Sequence, residues 1–226
     1  MAIFSIIERS QFGEGCILSP ERYDPRRAVL SGLKASVPLG SLVSLHKKTI
    51  SPKAKDLPPG EFLVLDASNA REGMVVVRRD SVSQAEIGSV KKTLFPGCVI
   101  ISRLRPYLRQ VAFADNGIPG LQESTSLACS TEFFVLAPLD GQSIAFLAPF
   151  LLSETVQKVL AASQEGGHHP RFDAQTLLGL SVPQKLLERR EQASLACEGA
   201  ISEYRQVRTI LAELILAAES QIVQVN

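Results

Sequence analysis

The chain has 226 residues, 45% of them hydrophobic and 21% charged, and its 24 bases against 23 acids leave a net charge of +1. That balance excludes a disordered or collagen-like chain, and a chain this long buries roughly 70% of its unfolded surface without disulfide or metal staples. The longest apolar stretch, Phe133 to Leu152, is broken by Pro138, Asp140, Gln142 and Pro149 and is not a membrane span.

Residues 1–36 read as an N-terminal extension, in which Ile3–Ile7 suits a short strand and Pro20, Asp24 and Pro25 punctuate the segment after it. No basic-then-apolar leader pattern opens the sequence, so a cytoplasmic location is expected. From Pro38 the pattern is β-like. Glu61–Leu65 comes after the Pro58-Pro59-Gly60 turn, Met74–Val77 is rich in valine, and Cys98–Ser102 comes after Phe95-Pro96-Gly97. Gln110–Ala114 and Glu132–Ala137 are two more strand candidates, and no repeat of fixed period appears. Ile144, Leu147, Leu151, Val156 and Leu160 roughly keep helical spacing, which predicts a helix over Ser143–Leu160 with Ser143 as its cap. A polar, glycine-containing loop spans 164–171. Asp173 then suits the cap of a short helix ending near Gly179, and Leu180–Pro183 reads as a last strand.

After Pro183 the composition changes: proline disappears, and alanine, leucine, glutamate and arginine dominate. Ala193, Cys197, Ala200, Tyr204, Val207, Leu211, Leu214 and Ala218 recur at alternating steps of four and three, the spacing of a helix that packs along its length on another helix. Extended back to Leu186, the seam has one charged break at Arg190, while Gly199 lies off it and costs about 1 kcal/mol against alanine. A helix from Lys185 to Ile222 is roughly 57 Å long at 1.5 Å per residue, too long to bury its stripe on one compact domain. A fold-back into two shorter helices has no glycine-proline break to support it. The expected architecture is α+β: a β-rich mixed domain over 1–183, then one long coiled-coil-type helix over 184–226.

The catalytic inventory is thin. No phosphate-binding Gly-rich loop, dinucleotide fingerprint, nucleophile elbow or carboxylate-x-lysine pair occurs. His168 and His169 are adjacent and would point opposite ways on a strand, and His46 is the only other histidine, so neither a metal nor a cofactor is expected. The four cysteines, Cys16, Cys98, Cys129 and Cys197, are widely spaced and read as free thiols. Charge, by contrast, is polarised along the chain. Arg71 to Arg109 holds eight bases against three acids, an excess of +5, and Gln110 to Glu165 carries −5. Such a surface steers a polyanion to one face.

Three loops suit nucleic acid. The first, Ser68–Gly73, offers Asn69 and Arg71, side chains able to pair with adenine and with guanine or phosphate. The second, Ser102–Arg109, places Arg103, Arg105 and Tyr107 at a proline-stiffened turn. The third, Gly166–Arg171, offers His168, His169 and Arg171 where glycines permit close backbone approach. Lys91 and Lys92 are candidate phosphate contacts.

The order of these elements resembles a target recognition domain of a type I restriction-modification specificity subunit. Val37-Pro38-Leu39-Gly40-Ser41-Leu42-Val43 is similar to the opening of such a domain, and Phe62–Gly73 to its strand and Asn-containing turn. Leu94-Phe95-Pro96-Gly97-Cys98-Val99-Ile100-Ile101-Ser102 is similar to its Gly-Asp-Ile strand, with Cys98 where aspartate is frequent. Gly166–Arg171, Leu177 and Leu180–Pro183 resemble the closing element, and the helix after them resembles the spacer helix. The resemblance implies a non-enzymatic DNA-recognition subunit that directs an adenine-N6 methyltransferase, and in some systems a nuclease, to double-stranded DNA. It further implies that the partner, not this chain, binds S-adenosylmethionine. A full specificity subunit has two recognition domains and two spacer helices, and this sequence matches one of each. Self-pairing of the helix, antiparallel, or pairing with a second recognition subunit is therefore expected. The start of the spacer, Pro183-Gln184-Lys185-Leu186-Leu187-Glu188, departs from the family pattern. Two other readings fit the residues alone: an adaptor that binds an acidic protein, and a hydrolase using His168 or His169.

Overall fold

A computed structural model describes residues 6, 8–9, 35–51, 60–77, 80–164 and 170–223. Of the strand candidate Ile3–Ile7 only Ile6 is described, and Cys16, Arg78, Arg79 and the histidine pair His168 and His169 fall outside the described residues.

The strands, in chain order, are β1 (Ser36–Pro38), β2 (Val43–Leu45), β3 (Thr49–Ile50), β4 (Glu61–Leu65), β5 (Ala70–Arg71), β6 (Gly73–Val75), β7 (Val82–Ser83), β8 (Lys91–Leu94), β9 (Val99–Ser102), β10 (Val111–Phe113), β11 (Thr125–Ser130) and β12 (Phe133–Pro138). Three helices come next, α1 (Leu147–Leu152), α2 (Glu154–Ala162) and α3 (Ala174–Leu178), then β13 (Ser181–Pro183), α4 (Gln184–Leu187) and the 34-residue α5 (Arg190–Val223). The strands form a six-stranded sheet, β2-β12-β9-β10-β6-β5, a five-stranded sheet, β3-β8-β11-β4-β7, and the pair β1-β13. Each larger sheet is mixed, with β6 parallel to β10 and β4 parallel to β11.

Side-chain alternation explains the layering. Val99 and Ile101 of β9, Phe113 of β10 and Phe134 and Leu136 of β12 enter one core with α1, α2 and α3. Their neighbours Ile100, Ala112, Phe133 and Val135 enter a second core against Leu63, Leu65, Leu127 and Cys129 of the five-stranded sheet. The six-stranded sheet is thus covered on both faces, by helices and by a second sheet. That is why its strands read as unbroken apolar runs rather than as an alternation. Burial pushes the thiols of Cys98 and Cys129 up to about 12, so both act as small core hydrophobes.

The helix expected over Ser143–Leu160 is two helices. Ser153 interrupts it with extended ψ and accepts a hydrogen bond from the Val156 N–H at 3.4 Å, so it, rather than Ser143, caps α2. Ser143 instead donates to Glu198 Oε1 on α5 at 2.5 Å. Asp173 caps α3 as expected, accepting from the Thr176 N–H at 2.7 Å. The opening and closing segments form one unit: Val37 faces Val182 across the β1-β13 pair, and Leu39 donates to the Leu180 carbonyl at 2.8 Å. Gly40 lies against α3, where a Cβ would come within 3.2 Å of Leu178 Cβ. This unit is the root at which α4 begins, with α5 after it.

Candidate nucleic-acid interface

Two of the loops singled out in sequence are neighbours in space, and Arg171, in the described part of the third, adjoins the second. The hairpin from β9 to β10 is closed by Ser102 N–H donating to the Gln110 carbonyl at 3.0 Å, and its tip is a single 3-10 turn over Pro106–Leu108. Arg105 and Arg109 flank that turn with φ of 47° and 51°, in the left-handed region, as does Glu72 at 52° in the first loop. Non-glycine residues held there carry strain that a scaffold must offset, and such residues cluster at functional sites. Tyr107 at the tip is 67% exposed. The first loop and this tip share an open groove of about 660 Å³ lined by Ser68, Arg71, Glu72, Leu108, Arg109 and Gln110, with Leu152 of α1. Arg71 Nε donates to the Ser68 carbonyl at 3.1 Å, which leaves its guanidinium ends at the groove. Arg109 bonds the Leu152 carbonyl and so ties the tip to α1.

The second loop and Arg171, in the described part of the third, meet through Glu132, at the corner between β11 and β12. Arg103 Nε donates to Glu132 Oε2 at 2.8 Å, and Arg171 donates through Nε at 3.0 Å and Nη2 at 2.9 Å. Leu104 and Arg171 form an isolated antiparallel bridge. The hydrogen bond from Arg171 and the Arg103 guanidinium hold the Glu132 carboxyl at about 2, well below its ordinary value. Lys92 joins from β8: its Nζ donates to the Phe133 carbonyl at 2.6 Å and lies 5.6 Å from the Phe134 ring centre. Burial lowers the Lys92 ammonium below the usual lysine value, with Arg103 adding to that effect. Lys91 is its neighbour, opposite Ser130 across the β8-β11 ladder.

Of the ten sequence candidates, His168 and His169 lie outside the described residues, Lys91 is half-buried on β8, and the other seven divide. Arg71, Arg105 and Tyr107 stand exposed at the groove and tip. Arg103, Arg171 and Lys92 converge on the Glu132 corner, where each already has a protein partner. Asn69 is buried, and both ends of its amide are occupied, Oδ1 accepting from the Asp66 N–H and Nδ2 donating to the Val76 carbonyl, each at 2.7 Å. It shapes the first turn rather than presenting its amide to solvent. Glu132, which organises the corner, has no sequence signal: its partners lie 29 and 39 residues away along the chain. No group of three or more histidine, cysteine, aspartate or glutamate side chains placed to hold a metal occurs among the described residues.

No family model and no curated protein matches the sequence. Solved structures do. A chain from a structural study of complex assembly and conformational transition of the type I R-M system matches over 79% of this chain, at 22% identity and a TM-score of 0.56. The HsdS subunit from Thermoanaerobacter tengcongensis matches over 80%, at 20% identity and a TM-score of 0.52. The chain thus shares its α+β fold, a β-rich domain with one long C-terminal helix, with these two chains. The chain spans less than half of each, 44% and 46% of their lengths. No helix among the described residues is long and apolar enough to cross a membrane.

Proposed function

We propose that this chain is a non-catalytic DNA-recognition subunit that directs a partner adenine methyltransferase to a defined sequence in the cytoplasm. The observation that supports the reading is convergence: the Ser68–Gly73 turn and the β9–β10 tip line one groove, and Arg171 bridges Leu104 beside that tip, on a fold shared with the HsdS subunit. Arg71, Arg105 and Lys91 supply phosphate or base contacts, and the guanidinium faces of Arg103 and Arg171 add positive potential. Tyr107 offers an exposed ring at the tip.

The helix supplies the second half of the reading. The side of α5 that meets its own domain runs through Arg190, Ser194, Cys197, Ile201 and Arg205. Beyond Arg205 every described side chain is exposed, and the apolar residues Val207, Leu211, Leu214, Ile215 and Ile222 lie on a face about a quarter turn away, at 100° per residue. Nearer the root, that same face carries the small, exposed Ala196 and Ala200 and then Tyr204, while Ala193 and Cys197 of the expected seam pack half-buried on the domain's own core. Antiparallel pairing sets the bulky half of one helix on the small half of its twin, whereas parallel pairing sets bulky on bulky. A second copy of this helix, or the equivalent helix of a second recognition unit, is therefore the partner we assign, with two recognition domains held apart as a ruler for a two-part DNA site.

Fluorescence anisotropy on a pool of duplex DNA tests the reading. Wild-type protein binds with strong salt dependence, and Arg71→Ala with Arg105→Ala weakens binding and lowers the salt slope by about 2. Unchanged affinity and slope in that double variant contradict the assignment of the rim.

A further inference from the structure

Two arginine–carboxylate clamps tie α5 to the domain, and they sit 15 residues apart, about 22 Å along the helix. The first is at the root. Arg190 pairs with both oxygens of Asp140, at 2.5 and 2.9 Å, donates to the Gln142 and Ser143 carbonyls, each at 3.1 Å, and covers the Phe146 ring at 5.7 Å. The second is the last contact before the helix leaves the domain. Arg205 pairs with both oxygens of Asp115, Nη2 to Oδ1 at 2.6 Å, and both side chains are largely withdrawn from solvent. Gly117 makes room for it: a Cβ there would come within 2.8 Å of Arg205 Nη1.

Position gives the second clamp its meaning. Asp115 lies just beyond β10, and the other end of that strand carries Arg109 and the cationic tip. A short buried strand thus links the recognition turn to the point where the helix is steered. Between the clamps Ser194, Cys197 and the buried Ile201 also pack on the domain, and Arg205 is the last of these contacts, where the free half begins. A swing of about 10° around Ile201 displaces the far end of α5, roughly 32 Å further on, by about 5.5 Å, more than one base-pair step.

We infer that the Arg205–Asp115 clamp sets the angle between the recognition turns and the free half of α5, and through it the gap between the two halves of the DNA site. This rests on the reading of the chain as a DNA-binding, paired-helix subunit. Arg205 and Asp115 are positioning residues that contact no base.

The test has two readouts on the full chain. In the first, spin labels introduced through unnatural amino acids at the exposed positions Glu123 and Glu219, diluted with unlabelled chain, report the domain-to-helix distance. Wild type gives one narrow distribution. Arg205→Gln broadens it, as does Gly117→Ala, which displaces the guanidinium while keeping both charges. The exchange of Asp115→Arg with Arg205→Asp narrows it again. In the second, duplexes selected by the wild-type protein are remade with the gap one or two base pairs longer or shorter. Wild type discriminates at least about tenfold between gaps, whereas Arg205→Gln and Gly117→Ala discriminate less than about threefold and lose less than about threefold on the best gap. An unchanged distance distribution overturns the clamp as an angle-setter, whatever the DNA result. A broadened distribution with gap discrimination retained overturns its link to the site. Wild-type protein that selects no duplex at all fails earlier, and takes down the DNA reading together with the gap assignment.

Discussion

Charged and apolar side chains in this molecule fall into two regions that differ in whether their partners are internal. In the body of the domain, and along α5 as far as Arg205, arginine meets carboxylate: Arg103 and Arg171 on Glu132, Arg190 on Asp140, Arg205 on Asp115. At the rim and along the free half of α5 it is otherwise. Arg105 and Tyr107 project from a strained turn, and Leu211 and Leu214 are more than half exposed. The first set holds the fold and its angles. The second is costly to leave bare, since a contiguous apolar stripe in water and a strained cationic tip both lower the stability of an isolated chain. External partners therefore belong on the second set.

The largest effect is expected at the free helix. Leu211→Lys with Leu214→Lys removes about 3–6 kcal/mol of apolar burial from a paired helix, weakening self-association by roughly 100-fold or more. Sedimentation then reports a monomer, while thermal melting of the domain is unchanged. Next comes the Glu132 corner. Glu132→Ala leaves two neighbouring guanidinium groups without their shared acceptor and destabilises the domain by about 2 kcal/mol in urea titration. A pH series refines this. Because Glu132 titrates at about 2 when folded against 4.5 ordinarily, its contribution is complete above pH 4.5 and is lost as pH falls from there towards 2. Glu132→Gln flattens stability across that window and leaves the neutral range parallel to wild type. The smallest stability effect belongs to the rim: Tyr107→Ala changes unfolding by less than about 0.5 kcal/mol yet weakens duplex binding measurably. A rim variant that melts early, or a Glu132 variant that does not, would erase the distinction between the two regions.

Much of the architecture is legible from local patterns. Glu61–Leu65 is a strand at its expected bounds, and Asp173 caps α3, because each depends on neighbours in sequence. The long helix is there too, beginning at Arg190 after the short α4 rather than running unbroken from Lys185. The charged break in its seam, Arg190, is the clamp to Asp140. β11 carries no such signal although it is the middle strand of its sheet. Thr125, Ala128 and Cys129 are small or polar, and their burial comes from tight packing between β4 and β8 rather than from a hydrophobic run, while Ser126 is exposed. β8 is masked by Lys91 and Lys92, whose stems lie along the sheet while their charges read as loop. At the candidate site, residue types and turn positions are readable, but the division of labour is not. That Asn69 is consumed by its own turn, and that Glu132 gathers Arg103 and Arg171, depends on contacts between distant segments.

If the rim meets a polyanion, duplex binding by the wild-type chain must weaken steeply as salt is added, and a titration across salt concentrations decides the matter. With at least about four phosphate contacts drawn from Arg71, Lys91, Arg105 and their neighbours, the logarithm of the affinity falls linearly with the logarithm of salt concentration at a slope of about −3 or steeper. No duplex binding at low salt, or binding whose slope is near zero, would contradict it.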